Sequence, residues 1–125
     1  MSNANQAYRE IEISTEVMTA SGHRLIQIML ERCLQNIEFA KSYIQNKEVN
    51  SKSQAILKSL DIVEYLRLCL NHTDEKAKEL SALLDSLYAY LQNNLRQANM
   101  TNDPEYLEKA KAVLVDIKAG WDGIV

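Results

Sequence analysis

Apolar side chains recur at alternating spacings of three and four along four successive stretches of this chain, the rhythm an α-helix needs to present one continuous face to a core. The first runs through Ile26, Leu30, Cys33, Ile37, Ala40 and Ile44, a heptad seam on a helix expected over about 22–46 and capped by Thr19 or Ser21. A second helix, opened by Asn50 or Ser51 and reaching about Asn71, carries Ile56, Leu60, Val63, Leu66 and Leu70. The third, from Thr73 or Asp74 to about Asn99, carries Ala77, Leu80, Leu84, Leu87, Leu91 and Ala98. Asn94 interrupts that stripe and Leu95 takes its place, the drift that 3.6 residues per turn requires. Asp103 then sets a capping oxygen before Pro104, whose missing N–H costs nothing at the first helical position. Leu107, Ala110, Leu114, Ile117, Trp121 and Ile124 continue the rhythm almost to the last residue, and Trp121 is expected to close the base of the core.

The chain has 125 residues, three glycines and one proline, which suits one helical domain with few breaks. Short connections force neighbouring helices to run antiparallel, so the expected fold is all-α, an up-down-up-down four-helix bundle. The bundle should occupy 22–125, preceded over 1–21 by a partly flexible N-terminal arm in which Tyr8, Ile11, Ile13 and Val17 are apolar without helical regularity. Helices of about 20–25 residues span roughly 30–38 Å at 1.5 Å per residue.

Several function classes are disfavoured by what the chain lacks. A net charge of −3 offers no Lys/Arg cluster to displace counterions from nucleic acid. No apolar run approaches the ~20 residues of a bilayer span, and the start MSNANQ has neither the basic region nor the apolar core of a signal peptide. A cytosolic protein is expected. Cys33 and Cys69 fall on apolar helical faces without CxxC spacing and read as buried free thiols. Neither His23 nor His72 has a glutamate three residues earlier, so the Glu-x-x-His ligand pairs of di-iron bundles are missing and no metal or other cofactor is implied. His23 also lacks the following lysine and glycine of histidine phosphotransfer domains. With no phosphate loop, carboxylate pair or nucleophile elbow, the chain does not read as an enzyme.

Apolar residues exceed what one stripe per helix requires. Leu25, Ile28 and Met29 add to the first helix, Ile62, Tyr65, Leu68 and Cys69 to the second, and Leu83, Tyr88 and Tyr90 to the third. A wide core face absorbs some of these residues, and the remainder would form a groove for the apolar face of an amphipathic partner helix. A groove burying ~600 Å² would contribute up to roughly 15 kcal/mol before association and ordering costs remove most of it. Tyr8, Ile11 and Ile13 in the arm are candidates to cover that groove when it is empty.

The order of short motifs resembles one family, the flagellar export chaperones. Ala7-Tyr8 with Ile11, Ile13 and Thr19-Ala20-Ser21 is similar to the family's arm, and His23-Arg24-Leu25-Ile26 through Met29-Leu30 to its first helix. Leu87-Tyr88, Tyr90, Leu95, Ala98-Asn99 and Asn102-Asp103 give the most specific likeness, with Trp121 standing where the family has a tryptophan. Gly22, Glu31-Arg32-Cys33, Ala89 and the connection from Asn71 to Lys78 depart from the family pattern. The resemblance implies a cytosolic chaperone that binds the C-terminal region of flagellin, prevents its premature polymerisation and delivers it to the flagellar type III export gate. It also implicates the arm, Tyr8 above all, in covering the groove and in hand-over. The partner-binding residues expected on this reading are Leu25, Ile28, Ile62, Tyr65, Leu68, Leu83, Tyr88 and Tyr90, with Tyr8 and Ile11 as the movable cover. A divergent bundle of the same fold that forms a homodimer or binds a different regulatory protein is the alternative.

Overall fold

The structure is a computed structural model that describes residues 22–123. Four helices occupy them: α1 (Gly22–Gln45), α2 (Val49–Leu68), α3 (Lys78–Thr101) and α4 (Pro104–Asp122). Each packs on the next and α4 returns to α1, closing a four-helix bundle. Cross-links between helix ends show that the neighbours run antiparallel. Lys52, near the start of α2, donates to Asn99 O at 2.8 Å and Asn102 Oδ1 at 2.6 Å, at the end of α3. Gln27 in the first turns of α1 donates to Asp122 Oδ1 at the end of α4, at 2.7 Å.

α4 starts where its sequence signals place it, with Asp103 Oδ1 accepting from Glu105 N at 2.9 Å ahead of Pro104. Asn102 closes α3 at φ 59°, a left-handed conformation that asparagine tolerates well, and its N–H caps Ala98 O. The connection between α2 and α3 is longer than expected. Asn71 Oδ1 accepts from Thr73 N, Thr73 Oγ1 and Asp74 N, and Asp74 Oδ1 accepts from Lys76 N. Residues that look like helix caps instead build an Asx turn, so α2 stops at Leu68 and α3 waits until Lys78.

The core follows the seams with one change of register. Leu30, Cys33, Ile37 and Ala40 of α1 and Leu107, Ala110 and Leu114 of α4 are fully buried, as their spacing requires. In α3 the buried line is Tyr88, Leu91, Leu95 and Ala98, with Leu84 half-buried above it, whereas Leu80 and Leu87 swing off the axis and Leu80 is exposed. Steps of four, three, four and three through Leu84, Tyr88, Leu91, Leu95 and Ala98 keep one face over about four turns. Ile28 and Ile62, expected at the groove surface, are core residues, and Tyr88 is largely buried in the core line while one side of it borders the open end of the bundle. Ile62 sits beside Val63 on a helix flanked by α1 and α3, so both positions are covered.

Charged residues line the outer seams. Glu38 of α1 pairs with Lys111 of α4 at 2.7 Å, Lys41 pairs with Glu108, and Arg67 of α2 bonds Asp85 at 2.9 Å and Gln92 Oε1 at 2.8 Å on α3. Gln92 in turn donates to Glu64 at 3.0 Å, so its buried amide is satisfied on both sides.

Candidate functional site

Where α1 and α3 begin and α2 and α4 end, the bundle does not close. The late start of α3 removes a layer of side chains there, and a Cβ added to Gly22 or Gly120 would meet nothing within 4 Å. The result is an apolar cleft of about 710 Å³. α1 lines it with Gly22, Leu25, Ile26 and Leu30, and α2 and its exit with Tyr65, Leu66, Cys69 and Leu70. α3 contributes Leu80, Leu84, Leu87 and Tyr88, and α4 contributes Val113, Asp116, Ile117, Gly120 and Trp121. Asp116 is the one charged group among these described lining residues.

One wall is fixed by Trp121. Its ring stacks on His23 with centroids 4.9 Å apart and planes 13° from parallel, and its Nε1–H donates to His23 O at 2.9 Å. The Gln27–Asp122 bond and the Lys118–Asp122 pair, at 2.5 Å, tie the same corner together. The end of α4 is thereby held against the start of α1 while the opposite side stays open.

Cys69 and the Tyr88 phenol line the cleft, whereas Cys33 belongs to the core. Cys33 is fully buried and burial pushes its thiol up to about 12, so it stays protonated and unreactive. Cys69, expected to be buried, is exposed because it follows the last residue of α2 and opens onto the cleft. Burial first, and the neighbouring Cys33 and Cys69 thiols next, push the Tyr88 phenol up to about 12.

Of the expected partner-binding residues, the structure brings Leu25, Tyr65 and Tyr88 together in the cleft. Leu83 and Tyr90 are exposed along α3 and share a face with Leu80 and Leu87, since steps of three, four and three return to one side of a helix. An apolar strip thus leaves the cleft and continues down α3. Leu68 is exposed on the last turn of α2 and does not line the cleft, while Ile28 and Ile62 are inside the core. Tyr8 and Ile11 lie outside the described residues. Ile26, Leu70, Leu80, Leu84, Leu87, Ile117 and Trp121 line the site yet read as core from their spacing, and Val113, outside every seam, lines it too. The missing signal was the offset between the ends of α2 and α3, which a seam pattern does not carry.

Among the described residues no cluster of His, Cys, Asp or Glu is arranged to hold a metal ion, and no helix is long and apolar enough to cross a membrane. The described residues thus form a helical bundle with ion pairs along its outer seams and an apolar cleft open at one end. The chain matches the family described as "Flagellar protein FliS" over residues 3–125, and it belongs to that family. It is 34% identical over 121 residues to the flagellar secretion chaperone FliSB of Pseudomonas aeruginosa, covering 97% of this chain and 94% of that one. Similar proteins also include the flagellar secretion chaperones FliS of Vibrio cholerae, 30% identical over 124 residues (99% and 90% of the two chains), and of Bacillus subtilis, 29% identical over 119 (95% and 84%).

Proposed function

We propose that this protein is a flagellar export chaperone of the cytosol, that it binds the C-terminal region of flagellin, and that it presents the subunit to the type III export gate without premature polymerisation. The observation that carries the reading is the open apolar cleft and its continuation along Leu83 and Tyr90, in a chain whose relatives are named flagellar secretion chaperones. An amphipathic client segment buries its apolar side there, hiding the surface that would otherwise pair with other subunits. Ordering of that segment on the bundle costs conformational entropy, which keeps release feasible without a nucleotide. On this reading Tyr8 and Ile11, in the segment that leads to the cleft-lining Gly22, serve as the cleft's cover in the empty protein.

The test is calorimetric titration of the purified chain with a C-terminal fragment of flagellin. Saturable binding with a negative heat-capacity change is expected, the mark of apolar burial. A folded protein that takes up no fragment refutes the assignment.

A further inference from the structure

Tyr88 occupies a seam position of α3 between Leu84 and Leu91, where a phenylalanine would fill the same space without a hydroxyl to satisfy. Its side chain is only 4% exposed and it lines the cleft. Among the described residues that hydroxyl has no hydrogen-bond partner. Among the described residues Asn36 Nδ2 is the fully enclosed side-chain polar atom left unpaired; Tyr88 Oη is not enclosed in that way, and its side chain lines the cleft. A hydroxyl open to the cleft is hydrated in the empty protein, and an apolar helix that docks there expels that water and must supply a partner or leave a desolvated donor unsatisfied.

We infer that Tyr88 Oη is the polar recognition point of the cleft, donating a hydrogen bond to a neutral acceptor, an amide or hydroxyl side chain, set within the apolar stripe of the docked helix. The acceptor is a side chain because the carbonyls inside a helical client are already bonded to its own backbone. It is neutral because the described lining residues include no lysine, arginine or histidine, and a carboxylate entering beside Asp116 would be unpaired and repelled. A single polar pair in an otherwise apolar interface fixes register, since sliding the client by one turn leaves both groups unsatisfied. This inference rests on the client reading above and names what that client must carry.

Calorimetric titration with the flagellin C-terminal fragment tests it in the full chain. Tyr88→Phe should melt no lower than the parent and bind the fragment about 3- to 10-fold more weakly, the worth of one neutral hydrogen bond. Changing the fragment's Asn, Gln, Ser and Thr residues to Ala one at a time should reveal one position that weakens binding to the parent and has no effect on Tyr88→Phe. Equal affinity of the two proteins, or weaker binding coupled to no such position, overturns the inference and leaves the client reading standing. Absence of binding by the parent overturns both. Should Tyr88→Phe not fold, the Cζ carbon resonance of Tyr88 in the labelled parent gives the answer: a shift on saturation supports the bond, and an unmoved resonance refutes it.

Discussion

Leu80→Glu separates recognition from folding more sharply than any other change in the cleft. Leu80 is 54% exposed on the first turn of α3, so folding has used less than half of its apolar surface. Burying a whole leucine is worth about 1.5–3 kcal/mol, so the exposed part contributes roughly 0.8–1.6 kcal/mol when a client covers it. A carboxylate there adds the cost, at least ~2 kcal/mol, of desolvating an unpaired charge in a cleft whose one charged group among the described lining residues is the acidic Asp116. Together they weaken binding by about 3 kcal/mol or more, over a hundredfold at 1.4 kcal/mol per decade. Stability moves the other way. An acidic residue in the first turn of a helix interacts favourably with its N-terminal dipole, by about 0.3–1 kcal/mol, and offsets the small loss of packing. The assay is calorimetric titration with the flagellin fragment alongside thermal melting. A variant that melts like the parent and still binds within threefold would show that the cleft is not where the client docks.

Leu91→Ala should behave in the opposite manner, destabilising the bundle by about 2–5 kcal/mol in urea while the protein that remains folded binds normally, because Leu91 is fully buried away from the cleft. Cys69 should react with Ellman's reagent in the native protein and be shielded by saturating fragment, whereas Cys33 should react only on unfolding. Trp121, the single tryptophan, lines the cleft, so its emission should shift to the blue on binding, and an unmoved spectrum at saturation would contradict its place in the wall. The Lys111 hydrogen bond holds the Glu38 carboxyl below its ordinary 4.5, and Arg67 and Lys118 hold Asp85 and Asp122 below 3.8. Depressed folded-state values mean stability that is complete above those ordinary values and is lost as pH falls through and below them, so the urea midpoint should drop on acidification below about pH 4.5. A midpoint independent of pH in that window would show that these exposed pairs contribute nothing.

Elements whose boundaries rest on backbone chemistry alone were legible in the sequence. Asp103-Pro104 fixes the start of α4 by hydrogen bonding within three residues, and the α1 seam needs nothing beyond its own spacing. The α2–α3 connection was not legible, because Asn71, Thr73 and Asp74 are equally good as helix caps or as an Asx turn. Their use as a turn goes with a tertiary contact, Ser81 Oγ donating to Asn71 O at 2.8 Å from inside α3. The α3 register failed for a related reason. Leu80, Leu84, Leu87 and Leu91 look like a more apolar stripe than one containing a tyrosine, yet the geometric face that continues to Leu95 and Ala98 passes through Tyr88.

Those two misreadings have one cause, and it is what makes the site. A seam pattern assumes that every turn of one helix meets a turn of its neighbours, and here α2 ends ten residues before α3 begins, so Leu70 and Leu80 keep the spacing of core residues without the layer that would cover them. Stability and recognition are consequently divided along the bundle axis. The half holding Ile37, Ile56, Leu95 and Leu107 is closed and carries the fold, while the half holding Leu80, Leu84 and Trp121 has the same chemistry with one side left out. On the proposed client reading, an apolar helix from another chain would complete the missing layer by the packing that built the rest of the core. Discrimination among apolar helices must then come from the few polar atoms in that half, and Tyr88 Oη is the one set deepest in its floor.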